Sequence, residues 1–126
     1  MTAIDHDLAV AAISHLPLIA AAALVESVAT DAARWKEARA LAAGGWRDTT
    51  RLARGDEVMG ADIIATNARP IAGWLRAYRD VIDRWLVELD AMTEESQPAE
   101  PDEATVARLR AQLAVARSTL ERGPNP

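Results

Sequence analysis

The sequence predicts an all-α protein, a helical bundle with long central helices. Alanine, the best helix former, supplies 28 of the 126 residues. Apolar residues recur at three- and four-residue spacing over 74–89, which is the helical period, and no stretch alternates apolar and polar residues as a half-buried strand does. Because alanine buries little area per residue and the chain has no phenylalanine, one copy can bury only a small core. We therefore expect a homodimer.

Composition excludes several classes of function. A chain of 126 residues makes one domain, and its net charge of −5 argues against a nucleic-acid partner, which needs a basic field. The absence of cysteine rules out disulfide and thiolate chemistry, and two histidines are too few for a structural zinc site. We expect no metal ligands, and these features weakly favour a cytoplasmic location.

The first long helix is predicted over 8–29, with Asp5 or Asp7 as its N-cap. Its apolar run is interrupted by polar residues and by Pro17, and the lead-in is acidic, so neither a membrane span nor a signal peptide is expected. We interpret it as a central, buried core helix, with the 74–89 helix packed on it. Pro17 should kink it beside Ser14 and His15, because proline removes a backbone donor.

Three shorter elements follow. Thr30 and Asp31 are placed to cap a helix over 32–43, and Gly44 and Gly45 are placed to end it. A further helix is predicted over 46–53. Asp56 should then cap a helix that runs to about Thr66.

The second half of the chain contains two more helices. Pro70 suits the first turn of the strongly amphipathic 74–89 helix. Residues 93–101 form an acidic, proline-containing linker, and a last amphipathic helix with a heptad seam occupies most of 102–126. The predicted domains are therefore 1–92, the linker 93–101, and the helix and tail 102–126.

The segment from Gly44 to Asp56 contains the densest group of polar and charged side chains. Arg47, Thr50, Arg51 and Arg54 lie three or four residues apart, so a helix would gather them on one side. Guanidinium groups bind carboxylates and phosphates in a bidentate way, so this cluster could hold an anion. The alternative is a surface turn in which Asp48 and Asp56 neutralise the arginines, since such clusters are common on surfaces.

The Gly44–Gly45–Trp46–Arg47–Asp48–Thr49–Thr50–Arg51–Leu52–Ala53 run resembles a signature of the prephenate and arogenate dehydrogenases. Two other blocks resemble that family in the same order along the chain. Upstream lie Asp5–His6–Asp7 and Ser14–His15–Leu16–Pro17, and downstream lie Asp62–Ile63 and Asn67. The resemblance covers about 4–92 and concerns the helical C-terminal half of those enzymes.

The resemblance implies a function in tyrosine, hence aromatic amino acid, biosynthesis. In that family this half forms an intertwined dimerisation domain, packs on a nucleotide-binding domain that holds NAD or NADP, and supplies part of the site for prephenate or arogenate, which the enzyme decarboxylates oxidatively. It implies that Arg51 holds a substrate carboxylate and that His15 lines the pocket. The other substrate-binding candidates are Ser14, Arg47, Asp48 and Thr50.

Three positions depart from the family pattern. Leu18 stands where relatives have a second histidine, and leucine can neither donate a hydrogen bond nor carry charge. Glu57 and Gly60 stand where relatives usually have proline and tryptophan, so the wall of the pocket should be altered. These departures put full catalytic competence in question.

Three hypotheses for function follow. The sequence lacks the Gly-x-Gly-x-x-Gly fingerprint of a nicotinamide site, so we expect no catalytic or cofactor-binding residue here and no hydride transfer by this chain alone. The first hypothesis is the substrate-binding and dimerisation part of a prephenate or arogenate dehydrogenase. The second is a non-catalytic helical association module derived from that family. The third is a small helical enzyme such as a chorismate mutase, whose long arginine-bearing helices do not match these motifs.

Overall fold

A computed structural model describes residues 1–94, 100 and 102–122 of the chain. All regular structure in these residues is helical, which confirms the predicted all-α class. A π-helical turn, Ala11–His15, joins the first two helices, and a 3₁₀ turn, Arg51–Arg54, follows the fourth. The α-helices are α1 (Ala3–Val10), α2 (Leu16–Ala29), α3 (Ala32–Ala40), α4 (Gly44–Thr50), α5 (Glu57–Thr66), α6 (Ala68–Glu94) and α7 (Glu103–Glu121).

The first helix begins at Ala3, five residues before the predicted start. Its N-cap is Thr2, not Asp5 or Asp7 as predicted. The Thr2 hydroxyl accepts a hydrogen bond from the Asp5 backbone N–H (3.1 Å), and the Asp5 carboxylate accepts one from the Thr2 N–H (3.1 Å). This reciprocal pair is a capping box, which satisfies two backbone donors that the first turn otherwise leaves unpaired.

The kink predicted beside Pro17 takes the form of the π-helical turn. Here the Leu16 N–H donates to the Ala11 carbonyl, one residue further back than in an α-helix. Pro17 follows directly as the second residue of α2, so the widened turn lies immediately before the residue that has no N–H to donate. The turn carries Ser14 and His15, and π-bulges of this kind are frequent at functional sites.

The prediction that this long helix is a buried core element is wrong for the isolated chain. Only Ala11 and Ala21 in it are buried, and Ile13 is 77% exposed. The segments that pack most extensively on α2 are the 3₁₀ turn, α4 and α3, and not the predicted 74–89 helix. Most of its apolar surface is therefore exposed in the described chain.

The stretch Ala3–Ala29 is also long and apolar enough to cross a membrane, with a mean hydropathy of 2.2 in its most apolar window. Only 11% of that window is buried within the chain. Length and composition alone do not separate a membrane span from a core helix that a partner covers, because both have the same pattern.

The region around the glycine pair differs from the prediction. The helix α3, capped by Asp31 as expected, ends at Ala40 and not at 43. Gly44 and Gly45 form the first turn of α4 and do not terminate α3. The helix predicted over 46–53 is divided, because α4 ends at Thr50 and the chain tightens into the 3₁₀ turn.

The next two helices begin as the sequence predicts. Asp56 caps α5, since its carboxylate accepts from the N–H groups of Val58 (2.8 Å) and Met59 (3.3 Å). Pro70 lies in the first turn of α6, where no intrahelical donor is required. The first backbone bond of that helix runs from the Ile71 N–H to the Asn67 carbonyl.

The chain divides into two compact units, Met1–Asp80 and Val81–Pro126, and the division falls within α6. The predicted boundary at 92 also lies inside α6, which continues to Glu94. Most of the predicted linker, residues 95–99 and 101, and the tail from 123 lie outside the described residues. In the second unit, Asp102 caps α7 by accepting from the Thr105 N–H (2.7 Å), and this hydrogen bond lowers the pKa of Asp102.

Helix α6 presents a stripe of large apolar side chains to solvent. Trp74 is 45% exposed, Ile82 47% and Leu86 52%. The other exposed members of this α6 stripe are Tyr78, Val81 and Leu89. Such a stripe at helical spacing is the pattern of an interface with another helix or chain.

Candidate functional site

A polar pocket of about 360 Å³ opens where the π-helical turn meets the end of α5. The π turn supplies Ser14 and His15, the two residues that the sequence analysis placed beside the kink. The remaining lining residues are His6, Asp7 and Val10 of α1, Ile63 and Thr66 of α5, and Asn67. The pocket therefore combines imidazole, hydroxyl, amide and carboxylate groups from segments about fifty residues apart in sequence.

Asn67 holds these segments together. Its side-chain Nδ2 lies 2.8 Å from the backbone carbonyl oxygen of Asp7 and 3.2 Å from Nδ1 of His15. The asparagine follows the last residue of α5, at the point where the chain turns into α6. One amide thus links the end of α5 to both α1 and the π turn.

The second histidine, His6, has a different environment in the same pocket. Its Nδ1 lies 3.4 Å from a carboxylate oxygen of Asp7, and both side chains are mostly exposed. An exposed pair of this kind contributes little to stability, because water screens the interaction.

The arginine segment lies on α4 and on the 3₁₀ turn. Arg47, Arg51 and Arg54 are exposed. Among the ion pairs of the described residues, none involves these arginines, so the predicted alternative, in which Asp48 or Asp56 neutralises them, is not observed. The Asp56 carboxylate is instead engaged in capping α5. The guanidinium groups are left available for an anion.

Thr50 has a structural position. It is 2% exposed, and its hydroxyl donates to the Trp46 carbonyl (2.7 Å), whereas Asp48 in the same helix is exposed. The Trp46 ring packs against that of Trp35 with centroids 5.4 Å apart. Trp46 therefore packs α4 against α3. The Thr50 hydroxyl forms its hydrogen bond within α4.

A second cavity of about 390 Å³ lies between α2, the 3₁₀ turn and α5. Its walls are largely apolar and include Leu18, Leu52 and Ile64, with Glu26, Asp56 and Glu57 also on its lining. A Cβ built on Gly60 would lie 3.6 Å from Cδ2 of Leu18. Leu18 and Gly60, which both depart from the family pattern, are thus neighbours on the wall of the same cavity.

The structure groups the predicted site residues in two sets. Ser14 and His15 line the polar pocket, whereas Arg47, Asp48, Thr50 and Arg51 lie on the arginine segment and are not among the residues that line either cavity. No site role was predicted for His6, Asp7 or Asn67 from the sequence. All three residues lie in the sequence blocks that resemble the family, and this could have indicated a role in the site. Within the described residues, no group of three or more histidine and carboxylate side chains is arranged to hold a metal ion.

Comparison with known proteins identifies the family. The family described as "prephenate dehydrogenase, dimerization domain" matches residues 2–107. The prephenate dehydrogenase of Bacillus subtilis (strain 168) is 35% identical to this chain over 86 residues, which is 68% of the chain and 21% of that protein. The chain thus spans about one fifth of the length of this curated relative.

Two solved structures share the fold. The Synechocystis arogenate dehydrogenase matches with a TM-score of 0.76 and 31% identity, over 95% of this chain and 41% of that one. A Corynebacterium glutamicum protein provisionally assigned as a prephenate dehydrogenase matches with a TM-score of 0.54 and 26% identity, over 96% of this chain and 35% of that one. The chain therefore belongs to the family of prephenate dehydrogenase dimerization domains.

Proposed function

We propose that this chain is the substrate-binding and dimerisation part of a prephenate or arogenate dehydrogenase. In the complete enzyme a nucleotide-binding domain would hold NAD or NADP, and the enzyme would decarboxylate its substrate oxidatively in the tyrosine pathway, in the cytoplasm. The observation that carries the proposal is the arginine segment of the family signature, whose guanidinium groups are exposed and have no carboxylate partner among the described residues.

Arg51 is the main anion-binding residue in this proposal. It occupies the Thr-Arg position of the signature, and a planar guanidinium suits bidentate contact with a carboxylate. Arg47 and Arg54 act as electrostatic neighbours, and Asp48 limits the local positive charge. Thr50, being buried, supports the helix on which these groups stand. Ser14 and His15 offer hydrogen bonds from the polar pocket to the same ligand class.

Self-association is the second half of the proposal. The accessible surface of the chain is 10427 Å². A folded monomer of this mass exposes roughly 6,600 Å² by the usual size scaling. The exposed stripe on α6 and the little-buried stretch Ala3–Ala29 both contribute apolar area to this surface. We propose that a second copy covers these surfaces in an intertwined homodimer, and that they face protein, not a membrane.

Calorimetric titration with prephenate and arogenate tests the ligand assignment. Each compound is titrated into the chain alone, and into the chain mixed with the nucleotide-binding domain of a dehydrogenase supplied as a separate protein. We expect binding of at least one compound, with tighter binding in the mixture. Failure of both compounds to bind in either arrangement would contradict the ligand assignment.

The second candidate function is a non-catalytic association module. It is favoured by Leu18 and Gly60, which line the 390 Å³ cavity at positions where the family pattern has a histidine and a tryptophan. This alternative predicts a stable dimer that binds neither prephenate nor arogenate. The same titration, combined with the oligomeric state, separates the two functions.

A further inference from the structure

The orientation of the Asn67 amide is determined by its partners. The Asp7 carbonyl oxygen can only accept a hydrogen bond, so the amide atom 2.8 Å from it must be the nitrogen and not the oxygen. The same nitrogen lies 3.2 Å from Nδ1 of His15. An amide nitrogen has two hydrogens and no acceptor capacity, so it can donate to both groups.

This geometry selects one form of His15. Because Asn67 donates, Nδ1 of His15 must accept, and an accepting ring nitrogen carries no proton. A neutral imidazole that is unprotonated at Nδ1 carries its proton at Nε2. Among the described residues, no hydrogen-bond partner lies against Nε2 of His15.

His6 provides a contrast within the same pocket. Its Nδ1 lies 3.4 Å from a carboxylate oxygen of Asp7, which is an acceptor. The contact therefore favours a proton on Nδ1 of His6, opposite to the form of His15. The chain contains only these two histidines, so each tautomer can be observed separately.

We propose that Asn67 is a positioning residue that holds His15 in the Nε2–H tautomer. His15 then serves the bound acid as a hydrogen-bond donor through Nε2, and a carboxylate or hydroxyl oxygen is the ligand group that this donor would take. The role at the ligand rests on the proposed function, whereas the tautomer itself is a property of the unliganded chain.

Nitrogen NMR of the two imidazoles tests the tautomer directly. The full chain, labelled with ¹⁵N-histidine, is examined at pH about 8.5, two units above the ordinary imidazole pKa of about 6.5. The variant His6→Gln assigns the two spectra. We expect His15 to show a protonated Nε2 and an unprotonated Nδ1. A protonated Nδ1, or comparable populations of both tautomers, would overturn the proposal.

Two substitutions test whether Asn67 is the cause. In Asn67→Ala we expect His15 to populate both tautomers, and in Asn67→Asp we expect the proton to move to Nδ1, because a carboxylate accepts. His6 serves as the internal control and should be unchanged, and circular dichroism confirms that each variant is helical. An unchanged His15 spectrum in folded Asn67→Ala would show that Asn67 does not set the tautomer.

Addition of prephenate tests whether His15 donates a hydrogen bond to the ligand. Where calorimetry shows that it binds, the Nε2–H resonance of His15 should shift, and binding without such a shift would overturn the donor role. If prephenate and arogenate both fail to bind, the proposed function fails while the unliganded spectra still decide the tautomer. The two failures are therefore distinguishable.

Discussion

Two regions of the molecule present groups that have no partner among the described residues. The arginine segment displays Arg47, Arg51 and Arg54, none of which is in an ion pair among the described residues. Helix α6 displays a stripe of large apolar side chains that includes Trp74 and Ile82. The first region is charged, and the second is apolar.

The two regions differ in how well water solvates their side chains. Water solvates an exposed guanidinium group well. Replacing one of these arginines should therefore not unfold the protein. Water cannot offset exposed apolar area, which costs about 25 cal/mol per Å². The stripe should therefore be covered permanently, whereas the arginines should be occupied only when substrate is present.

The largest expected effect follows from placing a charge in the stripe. Ile82→Glu should raise the dissociation constant of the proposed dimer at least about a hundredfold. The substitution removes apolar burial worth about 1.5–3 kcal/mol and adds a charge that must be desolvated. Size-exclusion chromatography over a range of concentrations measures the change. Arg76→Glu, on the polar face of the same helix, is the matched control and should remain dimeric. Equal behaviour of the two variants would show that the stripe is not the interface.

The next largest effect concerns the arginine segment. Arg51→Ala should weaken prephenate or arogenate binding about ten- to a hundredfold, since a charge-assisted hydrogen bond to a carboxylate is worth roughly 1.5–3 kcal/mol. Arg51→Lys should restore binding only partly, because the guanidinium fork is lost. The melting temperature should stay unchanged, since Arg51 has no ion-pair partner among the described residues. Unaltered affinity with a lowered melting temperature would give Arg51 a structural role instead.

A third region, around Gly60, differs from both because its neighbour Leu18 belongs to the same chain. Gly60 lies within α5, and a Cβ there would meet Leu18 at 3.6 Å, an ordinary contact distance. Gly60→Ala should raise the free energy of unfolding by about 0.5–1 kcal/mol, because alanine is the better helix former. Gly73→Ala in α6 is the control, since no atom outside its own helix backbone lies within 4 Å of its Cβ. Thermal melting of both variants isolates the Leu18 contact, and a destabilised Gly60→Ala would show that the cavity needs the glycine.

The smallest effect is expected at the N-terminus. Hydrogen bonds from the side chain and backbone of Thr2 lower the pKa of Asp5. A lowered pKa in the folded state stabilises the protein above the unfolded value of about 3.9, and this contribution is lost as the pH falls through the folded value. The stability difference between the wild type and Thr2→Ala should therefore shrink below a pH of about 4. A difference that is constant from pH 6 to pH 2.5 would exclude this linkage.

The sequence predicted the helices whose signals are local. Asp31 and Asp56 were recognised as caps because an N-cap needs only a short polar side chain ahead of a helical segment. The π-helical turn was anticipated only as a kink, since proline indicates strain without specifying how the backbone relieves it. The role of the glycine pair was misjudged, because glycine is compatible with both the end and the start of a helix.

The site was harder to predict, because it depends on contacts between distant segments. The pairing of Asn67 with Asp7 and His15 joins residues 60 and 52 positions apart, and no local pattern encodes such a contact. The proximity of Leu18 to Gly60 could not be inferred either, although both were noticed as departures from the family. The predicted burial of the first helix failed because its apolar composition does not say whether the same chain supplies the surface that packs on it.

Sedimentation equilibrium of the unaltered chain tests most directly the claim that this domain exists to associate. At tens of micromolar the chain should sediment as a dimer, with twice the 13.6 kDa mass of one copy, and it should dissociate only on strong dilution. A monomer at that concentration, with its α6 stripe open to solvent, would contradict the account.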